Sequence, residues 1–519
     1  MRRSIEPGRP ALRARRISAG QGRIAHGEPR RRSRRPLVSA GLVAFVLTVG
    51  YLTAHGRGLI LMGLFVALPA LVAALRAFDE LVLAIPFVAL LIRFSLPTGS
   101  DSRVSAAMLL VMLLAGIWIV TALYQRQIEL TPSVLNAPLL SFIAVCLIAL
   151  AWSIAFRDPL VTAYGQFTLV QLGACAAMVL SPIATLLIAN FVRTTERLRW
   201  IALVFVGVGV VSTLGYEVGL KLGQLNTGGL FALWFIAVGY AIVISLPSLP
   251  SWMRLALSLV LLLHMYDRAV TSIAWVSGWL PALTAVLVIT WLRSKRAAVG
   301  LLLALALLAT LQWSFIQQEV FEEAERDGSY ERLTLWDLNL ELIREHPLVG
   351  TGPAGYAIYY MTYHPEEARS THNNYLDIIA QTGIIGSLCW LWLMAAAGRE
   401  AWLALRYAPP GWPRTLSLAA AGGLAGAVVA MTLGDWVLPF AYNQGIEGYR
   451  YTVFSWIFLG VLISVRQQVA PQAERQRERR VSLIQARRAQ LAASAAQVEQ
   501  SGIDRPKRGR KLWQSRRSI

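Results

Sequence analysis

His372 is the residue of this chain whose type and position are best suited to acid–base chemistry. It stands in the run Thr371-His372-Asn373, directly before a helix predicted to begin at Asn374. The free N–H groups and the dipole of a helix N-terminus favour an anion there, and a neutral imidazole can accept a proton from a hydroxyl group. A simple polar cap of the helix is the alternative interpretation of His372.

Arg332, Arg268 and Arg93 are the candidates for binding an anion. Arg332 lies in a polar stretch whose four basic residues are all arginine, the side chain that makes bidentate contacts with phosphate or carboxylate. A solvated ion pair on a helix surface would also explain it. Arg268 follows an apolar stretch and Arg93 lies in one, where a charge is costly unless it is paired, functional or extended to the membrane surface.

A metal site is not expected. His346 and His364 precede His372 at irregular spacing and without a nearby cysteine, whereas zinc ligands recur at short, regular intervals. The three cysteines of the chain all lie in apolar segments, so they predict neither a disulfide nor a metal ligand. We therefore expect no cofactor.

The elements that position these residues are transmembrane helices. The chain has 519 residues, of which 56% are hydrophobic and only 15% charged, and this excludes a soluble globular protein. Apolar runs such as residues 104–124 and 137–156 are long enough to cross a ~30 Å hydrocarbon layer as helices. We predict an all-α polytopic membrane protein with about 14 (12–14) transmembrane helices and one long extracytoplasmic helical loop. The predicted spans begin near residues 37, 58, 79, 104, 137, 167, 199, 228, 253, 273, 298, 375, 415 and 451.

The basic residues predict the orientation. Twelve arginines lie in the first 35 residues, and the tail after residue 465 is similarly basic, which is typical of cytoplasmic ends. The net charge of +20 therefore reflects topology and contact with anionic lipid rather than nucleic-acid binding. Both termini are predicted to be cytoplasmic, and residues 317–374 extracytoplasmic.

This orientation divides the chain into five parts. Residues 1–36 form a basic tail, 37–316 the first eleven spans, 317–374 the extracytoplasmic loop, 375–466 the last three spans, and 467–519 a second basic tail. The loop contains eleven acidic residues against four arginines. Within it, residues 330–345 are predicted to form an amphipathic helix with Leu333, Trp336, Leu340 and Ile343 on its buried face.

The loop also carries a recognisable pattern. The run "HPLVGTGPAGY" from His346, followed by "HNNYLDIIAQTGIIG" from His372, resembles the O-antigen ligase/polymerase superfamily of bacterial membrane glycosyltransferases. The likeness is dense over residues 329–386 and extends over about 210–390. It implies a multi-pass protein of the inner (cytoplasmic) membrane that acts on a glycan carried by undecaprenyl diphosphate, in the synthesis of O-antigen, exopolysaccharide or lipopolysaccharide.

The resemblance also implies roles for the candidate residues. His372 would be the catalytic base, while Arg332, Arg268 and Arg93 would bind the donor diphosphate. The element at Arg268 reads Asp-Arg-Ala where the family often has Ser-Arg-Gly or Ser-Arg-Ala, so it matches only in part. The enzyme would be a metal-independent, inverting glycosyltransferase, with a chain-length regulator as a further partner.

Three alternatives remain open at this point. The acceptor is another lipid-linked glycan in a polymerase and lipid A-core in a ligase; the long tails and the span count slightly favour the polymerase. A polysaccharide transporter or flippase would need ionisable residues near the bilayer midplane, whereas here the charges cluster at span edges and in one loop. A membrane scaffold would need neither His372 nor the arginines.

Overall fold

The computed structural model describes residues 76–97, 103–128, 130–163, 165–220, 222–223, 225–322, 329–365 and 370–470, together with residues 485 and 490. The N-terminal tail, the two spans predicted near residues 37 and 58, and most of the C-terminal tail lie outside the described residues.

The described part of the chain is built from helices and one short antiparallel pair of strands. A lipid-embedded backbone must satisfy its own hydrogen bonds, and a helix does so within one segment. The final helix begins with a 3-10 turn at Ile446–Gly448. The elements are α1 (Phe78–Leu83), α2 (Ile85–Leu91), β1 (Ser95–Pro97), β2 (Arg103–Ser105), α3 (Ala106–Gln125), α4 (Asn136–Ala155), α5 (Phe167–Phe191), α6 (Thr195–Glu217), α7 (Phe231–Ser245), α8 (Ser251–Tyr266), α9 (Val276–Arg293), α10 (Lys295–Leu311), α11 (Trp313–Ile316), α12 (Ser329–Glu345), α13 (Gly355–Tyr363), α14 (Asn374–Tyr407), α15 (Trp412–Ala430) and α16 (Ile446–Ala470).

The predicted all-α polytopic architecture is confirmed. Within the described residues, eight helices are long and apolar enough to cross a membrane, and a ninth candidate is the pair Lys295–Leu311 and Trp313–Glu319, bent by 76°. Predicted spans near residues 79, 228 and 253 correspond to shorter helices, because α1 and α2 are separate segments and α7 and α8 have only 15 and 16 residues.

The centre of the bundle is formed where α7, α9 and α15 pack together. Small residues of α15 allow this close approach: a Cβ atom at Gly426 would lie 2.4 Å from the carbonyl oxygen of Pro281. On the other side of α7, the indole of Trp234 stacks on the ring of Phe458 in α16, with centroids 4.2 Å apart. α14 packs separately against α4.

The predicted face of α12 is correct only in part. Ile343 is buried and Trp336 is partly buried, whereas Leu333 and Leu340 are 54% and 41% exposed. The buried side also includes Leu335, Asn339 and Leu342. Leucines occur on more than one side of this helix, so their spacing alone does not select the face that packs. Contacts with α13 and α14 make that selection.

Candidate active site

Two asparagines fix the first turn of α14. Asn373 is the N-cap, and its Oδ1 accepts hydrogen bonds from two N–H groups of the first turn at 3.0 and 3.4 Å. The side chain of Asn374 pairs with the backbone of Val437 and Leu438, in the segment between α15 and α16. The capping role considered for His372 therefore belongs to Asn373.

His372 precedes this cap in a left-handed backbone conformation. Its φ is 50°, which is uncommon for a residue with a side chain. The His372 N–H donates to Ser370 Oγ at 3.0 Å, the Asn373 N–H donates to Thr371 Oγ1 at 3.2 Å, and the Trp336 indole donates to the Thr371 carbonyl at 2.8 Å. Such strain persists only where the surroundings enforce it, so the turn gives the imidazole a defined position.

Asp435 and Asn443 reach this turn from the segment between α15 and α16. The Ser370 hydroxyl donates to the two carboxylate oxygens of Asp435 at 3.0 and 2.8 Å. The Asn443 amide nitrogen donates to Asp435 Oδ2 at 2.7 Å and lies 3.4 Å from His372 Nδ1. Asp435 has no exposed surface. A buried carboxylate is thus connected through neutral groups to the histidine.

Burial sets the protonation of His372. Desolvation lowers the pKa of His372 below its ordinary value, the Asp435 charge opposes this shift, and the Arg332 charge adds to it. The imidazole is therefore neutral at physiological pH, the state in which it can accept a proton. The Arg332 side chain is exposed on α12, and its charge acts on the His372 imidazole.

Arg268 approaches the site from a different direction. It lies in the π-helical turn that follows α8, with its Nε 3.6 Å from Asp267 Oδ2 and its guanidinium 5.6 Å from the ring centroid of Trp275. Trp275 packs edge-on against Trp436, at 6.2 Å between centroids, and Trp436 is the neighbour of Asp435 in sequence. Two aromatic rings thus connect Arg268 to the Asp435 segment.

Arg93 lies outside the span in which it was expected. α2 ends at Leu91, and Arg93 occupies the exposed stretch between α2 and β1. The helix stops there because Ile92 is extended, while the N–H of Asn226 binds the Leu90 carbonyl at 2.8 Å. β2, the partner of β1, packs against the turn that begins α16.

α14 is interrupted near its start, and the glycine-rich loop before α13 supplies hydrogen-bond partners at this break. Gly383 has φ 65° and ψ −168°, so the helix is interrupted there. The carbonyl groups of Ala380 and Gln381, which precede the break, accept hydrogen bonds from the N–H groups of Thr351 and Gly352 at 2.9 and 3.0 Å. The loop supplies donors that the helix itself lacks.

The N–H groups after the break are satisfied in the same way. Ile384 donates to the Pro347 carbonyl at 2.8 Å, and Ile385 to the Leu348 carbonyl at 3.3 Å. A Cβ atom at Gly383 would lie 2.2 Å from the Leu348 oxygen, so only glycine fits this junction. The two glycine-containing runs singled out in the sequence are therefore halves of one structural unit.

An open cleft lies beside α13, where it is lined in part by Ile358 and Tyr359. Its lining includes Arg157, whose Nη2 donates to Gln171 Oε1 at 2.8 Å, while Gln171 Nε2 donates to Ser153 Oγ at 3.1 Å. His346 and Tyr359 complete the polar wall, with ring centroids 5.0 Å apart. His346 lines this cleft, and His372 is not among its lining residues. In the part of the chain that the structure describes, no three His, Cys, Asp or Glu side chains are grouped as metal ligands.

Sequence reasoning missed Asp435 and Asn443. They follow α15 in a stretch that the sequence suggested only as the gap between two spans. One signal was present: Asp435 is an acidic residue in an otherwise apolar run, and charged residues at membrane depth are retained for function more often than for structure.

Part of the chain is similar to a known protein family. Residues 268–391 match the family profile described as O-antigen ligase (Wzy_C). The match supports the resemblance of this region to the O-antigen ligase/polymerase superfamily. The matched region begins at Arg268 and includes Arg332, the glycine-rich loop, His372 and the break in α14, whereas Asp435 and Asn443 lie beyond it. No curated protein matches the chain.

Proposed function

We propose that this O-antigen ligase-type membrane protein is a glycosyltransferase that uses a glycan on undecaprenyl diphosphate as donor. One observation carries the proposal: a histidine kept neutral by burial lies directly before a membrane helix, is connected to a buried carboxylate and feels the charge of an arginine. A neutral base beside a guanidinium suits a hydroxyl nucleophile and a phosphate leaving group.

The proposed reaction is one direct displacement. The imidazole of His372 takes the proton from the acceptor hydroxyl as that oxygen bonds to the anomeric carbon of the donor sugar. The bond from the anomeric carbon to the diphosphate oxygen breaks, and its electron pair leaves with undecaprenyl diphosphate. Arg332 and Arg268 stabilise the departing charge, and Arg93 contributes to donor binding from the outer edge. A single displacement inverts the anomeric configuration and needs no metal ion.

The test is transfer of glycan from purified undecaprenyl-diphosphate donor in membranes that contain the protein. His372→Ala removes the base and leaves the arginines, so turnover should collapse while donor binding persists. Activity close to the original after His372→Ala, in a variant that inserts normally, would contradict the assignment.

The acceptor is proposed to be a second lipid-linked glycan, which makes the enzyme a polymerase of O-antigen or exopolysaccharide. Supplying lipid-linked repeats alone should give chains of increasing length. A product formed only when lipid A-core is added would identify a ligase instead. A chain-length regulator is the further partner that a polymerase would require.

The proposed topology has fourteen spans in the inner membrane with both termini in the cytoplasm and residues 317–374 outside. The basic ends of the chain support it. Reporters fused after Glu325 and at the C-terminus should report opposite compartments. Two reporters in the same compartment would exclude fourteen spans.

A further inference from the structure

Asp377 is a buried acidic residue that the reaction above leaves without a role. It lies one turn into α14 and is 2% exposed. Its Oδ1 accepts hydrogen bonds from the Tyr356 hydroxyl at 2.6 Å and the Thr371 hydroxyl at 2.7 Å. Its Oδ2 is also buried, yet none of the described residues donates a hydrogen bond to it. A buried polar atom without a donor is costly and needs an explanation.

The carboxyl group of Asp435 provides that explanation. It lies within hydrogen-bonding reach of the Asp377 carboxyl, and it has no exposed surface. Its own donors are the Ser370 hydroxyl and the Asn443 amide. Two ionised carboxylates can only accept hydrogen bonds, so they cannot bond to each other unless a proton lies between them.

The surroundings do not neutralise two negative charges. The groups that face the pair are Tyr356 and Tyr360 on α13, His372 before α14, and Arg332 on α12 by way of His372. Burial raises the pKa of Tyr356 and Tyr360, so both phenols are uncharged. Two adjacent carboxylates in such surroundings do not both ionise, as in other acid pairs that share a site.

We propose that Asp377 keeps its proton and shares it in a hydrogen bond with the Asp435 carboxylate, and that Asp377 is a positioning residue for His372. Ser370 is bonded to Asp435 and Thr371 to Asp377, so the acid pair holds the two residues that precede the histidine. Loss of the shared proton would leave two adjacent carboxylates that repel each other. This repulsion would weaken the hydrogen bonds that hold Ser370 and Thr371. The inference deepens the proposed function, since it assumes that His372 acts on substrate.

Asp377→Asn tests the proposal because it imitates the protonated residue. The amide oxygen can accept the hydrogen bonds from Tyr356 and Thr371, and the amide nitrogen can donate to Asp435. Transfer at neutral pH should stay within about threefold of the original. We expect the original protein to lose transfer at alkaline pH, where the shared proton leaves, and Asp377→Asn to lack this loss. The matched control is Asp377→Leu, which has similar size but cannot hydrogen-bond and should abolish transfer.

A second measurement does not depend on transfer. An unfolded aspartate releases its proton at about pH 4, so a folded pair that keeps one proton loses stability as the pH rises above that value. Thermal unfolding of the purified protein in detergent should show this slope, and Asp377→Asn should reduce it. Equal slopes in the two proteins, or a loss of transfer in Asp377→Asn as large as in Asp377→Leu, would overturn the proposal.

The two measurements separate this inference from the proposed function. If His372→Ala retains transfer while the difference in stability between the original and Asp377→Asn remains, the shared proton stands and the catalytic assignment fails. If His372→Ala is inactive and the difference is absent, the catalytic assignment stands and the shared proton fails.

Discussion

Histidine and arginine occur together at two places in the molecule, and the two places are built differently. At the first, the charge of Arg332 acts on His372; at the second, His346 and Arg157 line the open cleft. Burial lowers the pKa of both histidines, so neither residue type nor protonation distinguishes them. Their anchoring does.

His372 is anchored by polar groups from two segments of the chain: Ser370 of its own turn and Asn443, which is itself bound to Asp435. His346 instead packs its ring edge-on against Tyr359, with the charges of Glu345 and Asp158 nearby. A polar partner that fixes the ring is one mark of a general base, and of these two histidines His372 has such a partner in Asn443. The comparison teaches that a neutral histidine beside an arginine is not sufficient to identify the base.

The largest expected effect comes from replacing each of the two histidines separately by glutamine. His372→Gln should lower the rate of transfer by about 10²–10⁴-fold, as expected for loss of a general base. His346→Gln should change it by no more than about twofold, the usual range for a residue outside the machinery. Rates are measured with saturating donor, after equal insertion of both variants is established. Comparable losses of transfer in the two variants would remove the distinction between His372 and His346.

The two arginines should differ by a smaller amount. Arg332→Ala should weaken donor affinity by about 10–100-fold, because a hydrogen bond to a charged group contributes about 1.5–3 kcal/mol. Arg332→Lys should restore part of it, since an ammonium lacks the planar fork of the guanidinium. Arg157→Ala serves as the matched control. A larger effect of Arg157→Ala on donor affinity would shift the donor site to the cleft.

Gly383→Ala tests the junction between the glycine-rich loop and α14. The added Cβ would strike the Leu348 carbonyl and strain a positive φ, at a cost of about 1–3 kcal/mol. Unfolding in detergent should therefore occur several degrees lower. Gly398→Ala in the same helix is the control, because open space surrounds that position and alanine favours a helix. Equal unfolding temperatures would mean that the loop tolerates a wider junction.

The smallest effect concerns pH. Because burial lowers the pKa of His372 below about 6.5, the base is already neutral at pH 7, and transfer should change little up to pH 8. Below this range transfer should fall as His372 becomes protonated. Arg332 adds to the lowering of this pKa. Arg332→Ala should therefore move the acidic limb of the pH–rate profile to higher pH. His346→Gln should leave the acidic limb of the profile unchanged. A limb that moves only in His346→Gln would show that His346, and not His372, is the base.

The sequence predicted the helices and the active histidine candidate from local information. Apolar runs and flanking basic residues located a helix near each predicted span after residue 75, and the His372-Asn373-Asn374 run located the start of α14. Local patterns could not predict which segments meet. Asp435 lies far along the chain from His372, and the two come together only because α14 and α15 run antiparallel.

The same limit applies to the glycines and to α12. Gly350 and Gly383 were visible as residues that permit unusual backbone angles, but their junction depends on exchanged hydrogen bonds between distant segments. On α12, apolar spacing favoured Leu333 and Leu340, whereas tertiary packing selected Leu335 and Leu342. Propensity and periodicity describe one element, and packing decides between its faces.

Translation meets the two sides of the Gly383 junction in a fixed order. Residues 347–352 leave the ribosome before residues 380–385. The segment that supplies the missing hydrogen-bond partners is therefore already synthesised when the interrupted helix is made. Until the two dock, four peptide groups of α14 have no partner, and each such group would cost several kcal/mol in lipid. Stable integration of α14 and assembly of the loop before His372 are therefore a single event in biogenesis. A chain whose loop fails to dock should be recognised by membrane proteases as misinserted, so we expect defects at this junction to appear as low abundance of the protein rather than as an inactive enzyme.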